Sequence, residues 1–192
     1  MRADQLDADR ACVLVIDMQE KLLPLIRGHE RLVNAAAKLL RGAGIFRLPV
    51  IATEQYVKGL GPTVAPIRDV LRPLEAHTLE KSTFSAGDHP PVREALLKFD
   101  RSQVIIIGIE AHVCVQQTAL DLASRDYDVF VCADAVGSRG RIDYDTALTR
   151  MRQNGVLVTT VESVLFELCG RCDAPRFKEM LDVIKASPPP ED

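Results

Sequence analysis

The sequence predicts an α/β fold: a three-layer αβα sandwich around an open, mostly parallel sheet of five or six strands. Two observations carry this. Short β-branched runs alternate with longer segments of helical period, the pattern of β-α-β units. The runs are also continuously apolar, as in Val13-Leu-Val-Ile16 and Val104-Ile-Ile-Ile107, which suits strands covered on both faces by helices. At 192 residues and 47% hydrophobic, the chain is predicted to form one domain over residues 1–186, since roughly 100 to 200 residues per domain is usual. The last residues, Ser187-Pro-Pro-Pro-Glu-Asp192, are predicted to be a disordered tail, because three prolines cannot join a helix.

In chain order, residues 11–17 read as a first strand that ends in a carboxylate, Asp17. Residues 31–42 have helical period, with Gly42 and Gly44 expected to stop the helix. A second strand spans 49–53. Residues 59–62 and 73–90 read as long loops, which in compact domains are often functional. A helix over 91–99 leads to a third strand at 103–108, and a helix over 115–125 buries Ala119, Leu122 and Ala123. Residues 128–133 form the next strand, 144–154 a helix closed by Gly155, and 155–160 a last strand.

Composition excludes several classes of partner. Twenty-four Lys and Arg against 27 Asp and Glu give a net charge of −3, and no basic cluster is available to follow a phosphate backbone or an anionic membrane. Neither nucleic acid nor membrane is expected as a partner. No apolar run approaches the roughly 18 residues of a membrane span, and the acidic, polar start is unlike a signal peptide, so a cytoplasmic location is expected. Five cysteines then read as free thiols, with Cys12 and Cys132 in strand cores. Cys169-Gly-Arg-Cys172 has C-x-x-C spacing but lacks the second ligand pair of a zinc site, and it follows a helix pattern where a thioredoxin-type motif would open one. A thiol redox role there remains the weakest functional reading.

Ligands bind open parallel sheets beyond the carboxyl ends of the strands. Three chemically apt side chains are expected there: Asp17 after the first strand, Lys81 in an extended segment, and Cys114 where a buried strand turns into a helix. Helix-start N–H groups and the dipole favour an anion, so the Cys114 thiol is expected to have a lowered pKa. An acid, an ammonium and a thiol together form a nucleophilic constellation.

Val15-Ile-Asp-Met-Gln19, Glu80-Lys-Ser-Thr-Phe-Ser85 and Gly108-Ile-Glu-Ala-His-Val-Cys114-Val resemble, in order, the three signatures of isochorismatase-like cysteine hydrolases. The resemblance covers residues 11–184. Thr53-Glu-Gln-Tyr56 followed by Gly59-Leu-Gly61 is similar to the YcaC-like and isochorismatase-domain-containing subgroup. The resemblance implies a triad of Asp17 as base, Lys81 as electrostatic partner and Cys114 as nucleophile. It further implies a cis peptide between Ile109 and Glu110, with an oxyanion hole formed by the backbone N–H groups of Cys114 and Glu110. The expected reaction is hydrolysis of a C–N bond in a small molecule, an amide, through a thioester. Nicotinamidases carry a metal-binding Asp-x-His motif where this chain has Thr53-Glu-Gln-Tyr56, so no metal or other cofactor is expected. True isochorismatases lack the nucleophilic cysteine. A homo-oligomer is expected, as is common among relatives of the fold. The competing reading is a non-catalytic binding or regulatory protein on the same scaffold.

Gln19, Gln55, Tyr56 and Phe84 are pocket candidates because they adjoin a triad residue or a strand end. His112, two residues before the nucleophile, is read as pocket wall or loop support, since Asp17 already fills the role of base. His77 and His89 are expected to be solvated, Glu110 to act through its backbone, and the Arg139-Gly-Arg141 loop to be available for a subunit contact.

Overall fold

Six parallel strands lie side by side at the centre of the computed structural model, which describes residues 5–186; the tail expected to be disordered lies outside the described residues. They are β1 (Ala11–Ile16), β2 (Val50–Gln55), β3 (His77–Lys81), β4 (Gln103–Ile109), β5 (Asp128–Gly137) and β6 (Leu157–Thr159). Their order across the sheet is β3-β2-β1-β4-β5-β6, and the sheet is open. The chain starts in the middle, winds to one edge, returns beside β1 and winds to the other. The reversal falls between β1 and β4, the kind of switch point beyond which open parallel sheets place their ligands.

Two cores follow from the two-residue period of a strand. Ala11, Val13 and Val15 face one helical layer, while Cys12, Leu14 and Ile16 face the other. Ile105 and Ile107 of β4 repeat the first face, and Val104 and Ile106 the second. Burying each such Val, Leu or Ile side chain contributes about 1.5–3 kcal/mol, so β1 and β4, wholly buried, anchor the sheet. On one side pack α1 (His29–Phe46), α3 (Ala65–Leu71), α7 (Val161–Cys169) and α8 (Phe177–Ala186). On the other pack α4 (Pro90–Phe99), α5 (Gln116–Ala123) and α6 (Arg141–Gln153); a single turn, α2 (Val57–Leu60), follows β2.

The structure departs from the expected elements in three informative places. Helix α1 runs through Gly42 and Gly44 to Phe46. A Cβ on Gly42 would collide with the Leu165 side chain of α7. The glycine therefore permits close helix packing, which outweighs its cost of about 1 kcal/mol in a helix interior. Residues 73–90 are also not all loop, because β3 pairs with β2 from Ile51↔His77 to Gln55↔Lys81. It is an edge strand whose alternation is polar and exposed, so no apolar run marks it. Finally, Cys114 does not sit in the first turn of an α-helix. Residues Ala111–Val115 form a π-helical turn, and α5 begins only at Gln116. Short π segments often occur at functional sites. The peptide between Ile109 and Glu110 is cis.

Candidate active site

Asp17, Lys81 and Cys114 converge beyond the carboxyl ends of β1, β3 and β4. Asp17 follows β1 directly and adopts a left-handed conformation, φ 50°, which Asp tolerates better than most residues. Its N–H donates to the Thr53 carbonyl at 3.1 Å, tying the turn to β2. Its carboxylate accepts from the Thr53 hydroxyl at 2.7 Å and from Lys81 Nζ at 2.8 Å. Both charged side chains are fully buried. Such a pair persists because each charge is compensated, and removing one partner would leave the other buried alone.

Lys81 ends β3 in register with Gln55. Its ammonium donates to Asp17 Oδ2, to Gln55 Oε1 at 2.7 Å and to the Thr83 carbonyl at 3.1 Å, with the Phe84 carbonyl at 3.4 Å. This oxygen cradle holds the cation at one point. Cys114, with 6% of its surface exposed, touches both members of the pair. Burial pushes its thiol pKa up to about 12; the charge of Asp17 and a hydrogen bond to it push in the same direction, while the Lys81 charge and hydrogen bond oppose them. The lowered pKa expected from a helix start is overturned: desolvation and the neighbouring carboxylate outweigh the cation. At rest the Cys114 side chain is held as a thiol.

The remaining candidates separate into groups. Gln19 has no exposed surface, and its amide joins Gln55 and Gly61 by bonds of 2.6–2.9 Å, so it fastens two loops beneath the site. Gln55 reaches the site directly through Lys81. Tyr56 and Phe84, 58% and 55% exposed, follow β2 and β3 on the outer rim. His112 contacts the Ser138 hydroxyl through Nδ1 at 2.9 Å, a loop-supporting bond. The Glu110 carboxylate is held by the N–H of Arg139 at 3.1 Å and by its guanidinium, so the Arg139 side chain braces the turn. His77 is exposed and lies against Phe99. Cys12 and Cys132 are core, whereas Cys169 and the exposed Cys172 are free thiols.

Thr53, Ser138 and Arg139 are the supporting residues that sequence reasoning missed. Thr53 was findable, since it lies at the carboxyl end of β2 as Asp17 does at that of β1. Ser138 and Arg139 carry no local signal. Among the described residues, no group of three or more His, Cys, Asp or Glu side chains is placed to hold a metal ion, and no helix is long and apolar enough to cross a membrane.

Comparison with known proteins places this arrangement in a family. Residues 11–163 match the isochorismatase domain model. Isochorismatase domain-containing protein 1 of Salmo salar is 41% identical over 90% of this chain, and the chain spans 60% of that protein's length. Among solved structures, the MAR1 ribonuclease of Caenorhabditis elegans superposes with a TM-score of 0.90 at 35% identity, covering 97% of this chain and 95% of that one. YcaC of Escherichia coli, described as an octameric hydrolase of unknown specificity, gives 0.84 at 30% identity over 90% and 85% of the two chains. YcaC of Pseudomonas aeruginosa, solved with hexane-2,5-diol and covalent acrylamide, gives 0.89 at 28% over 97% and 95%. The motifs in register, the sheet order and the matched length together make this chain a member of the isochorismatase family, with its hydrolase fold.

Proposed function

We propose that the chain is a cysteine hydrolase that cleaves a C–N bond of a small molecule, an amide, through a thioester on Cys114. The observation that carries this reading is the buried Asp17–Lys81 ion pair in contact with the thiol. Losing the thiol proton to solvent would add an uncompensated negative charge to a buried site, and the raised pKa reflects that cost. Passing the same proton to Asp17 leaves the net charge unchanged, with the thiolate beside Lys81. Activation is therefore internal and needs no depressed resting pKa.

Substrate entry would align the carbonyl carbon with Sγ. Asp17 takes the proton as sulfur attacks, Lys81 holds the developing thiolate, and the backbone N–H groups of Cys114 and Glu110 receive the oxyanion. Protonated Asp17 then donates to the leaving amine. Water, deprotonated by Asp17, hydrolyses the thioester and restores the thiol. Metal plays no part in this scheme, so a chelator should leave turnover unchanged. Covalent acrylamide in the Pseudomonas aeruginosa neighbour supports an amide-sized electrophile as ligand, and the octameric Escherichia coli neighbour supports a homo-oligomer.

The sheltered, high-pKa thiol also favours the non-catalytic binding reading, and one experiment separates the two. A panel of small amides is assayed by ammonia release with wild type and Cys114→Ala, alongside an RNA cleavage assay prompted by the Caenorhabditis elegans neighbour. Amide turnover abolished in Cys114→Ala is expected. Turnover that survives the substitution, or RNA cleavage with no amide turnover, overturns the proposal.

A further inference from the structure

A groove of about 550 Å³ is lined by neither Asp17, Lys81 nor Cys114. It lies between the start of α1, the end of β5 and the start of α6. Asn34 and Ala35, four and three positions before Lys38, bring one face of α1 to it. Arg27 lines it from the preceding loop, and Gly28 and Gly140, which cap α1 and α6 without any side-chain hydrogen bond, leave backbone exposed along its wall.

Lys38 is the informative residue. It is only 8% exposed, yet among the described residues it makes no hydrogen bond and no ion pair within 4.0 Å. It feels the charge of Asp134, which lines the same groove and accepts from the Val161 N–H at 2.9 and 3.2 Å, but the two side chains form no ion pair within 4.0 Å. Glu162, the other acid lining the groove, is exposed on its rim. The Lys38 stem is buried while its ammonium reaches open space, unlike that of Lys81 in its oxygen cradle. Here the space in front of it is open groove, flanked by Arg27, a second cation with no hydrogen bond or ion pair among the described residues.

We propose that this groove binds a small organic anion through Lys38 and Arg27, with carboxylate or phosphate oxygens seated on the two cations. The volume suits a metabolite-sized ligand, for which clefts of roughly 300–1,000 Å³ are usual. The Asn34 amide and the Tyr144 ring supply polar and apolar contacts for the rest of the molecule. Ser138 also lines the groove, and its hydroxyl holds His112 on the π-helical turn that carries Cys114. An occupant would thus sit one hydrogen bond from the nucleophile's turn. The inference is independent of the hydrolytic reading and stands or falls separately.

Isothermal titration calorimetry with citrate and with inorganic phosphate, in low-salt buffer, tests the site and distinguishes carboxylate from phosphate recognition. Saturable binding of at least one anion is expected, weakened at least tenfold in Lys38→Met. Arg27→Gln, which alters an exposed side chain, should weaken it by a similar factor and decides the matter if Lys38→Met fails to fold. Absence of saturable binding to wild type overturns the proposal, as does binding that neither variant diminishes. Sedimentation of the same samples provides one further overturning result: variants that dissociate an oligomer while binding anion as wild type does would make the groove an interface between copies.

Discussion

At the residue scale, Asp17 acts on Cys114 in two opposed ways in the proposed mechanism: its charge holds the proton on sulfur, and its carboxylate is where that proton would go. Asp17→Asn removes both effects. Amide turnover should fall by about 10²–10⁴-fold, the usual contribution of a positioned base. The thiol pKa should move down, because Asp17 raises it through both charge and hydrogen bond. Alkylation of Cys114 by iodoacetamide near pH 8 should then be faster than in wild type, so a slower rate would contradict the assignment. In wild type, exposed Cys172 should react before Cys114 in the absence of substrate. Lys81→Met poses the reverse problem, since it leaves the Asp17 charge buried without its partner. A loss of about 3–5 kcal/mol in urea unfolding is expected, and Lys81→Arg should not rescue turnover, because the oxygen cradle is shaped to a point charge.

At the scale of elements, the site exists because three strands end at the same level. Parallel pairing of β1 with β2 and of β2 with β3 brings Asp17, Thr53, Gln55 and Lys81 together from distant segments. Gly108 serves the fourth strand. It has φ 121°, and a Cβ there would collide with the Ile16 carbonyl, where β4 runs beside β1 and shifts register against β5. Gly108→Ala should cost about 2–4 kcal/mol from strain and strand separation, with loss of turnover under conditions where the variant is still folded. Unchanged activity would show that the end of β4 can shift without moving Cys114. The apolar runs of β1 and β4 made those strands legible, whereas β3 was concealed by its polar edge alternation and the C-terminal end of α1 by Gly42, which packs against Leu165.

Across the whole molecule, three buried thiols link stability to alkaline pH. Cys12 and Cys114 are each pushed up to about 12 and Cys132 well above its ordinary value, in every case first by burial. A folded-state pKa raised above the unfolded value confers stability that is complete below the unfolded pKa. That stability is lost as pH rises through the folded pKa, because the unfolded chain sheds protons the native state retains. Between about pH 9 and 12, Cys12 and Cys114 should therefore each reduce the unfolding free energy by about 1.4 kcal/mol per pH unit, and Cys132 acts in the same direction. The double variant Cys12→Ala, Cys132→Ala should show a shallower decline between pH 9 and 10.5 in urea titrations. A decline as steep as that of wild type would assign alkaline sensitivity to other groups.

The sequence by itself determined the α/β class, the buried strands and the identity of the three converging residues, because strand periodicity, continuous apolar runs and ordered motifs are local properties of the chain. Only the tertiary structure decided the protonation of Cys114, the role of Gln19 as a loop fastener and the bracing of the turn by Arg139 and Ser138. Each depends on how far groups distant in the chain are removed from water and what they meet there. Desolvation is a property of the assembled fold, and no motif encodes it.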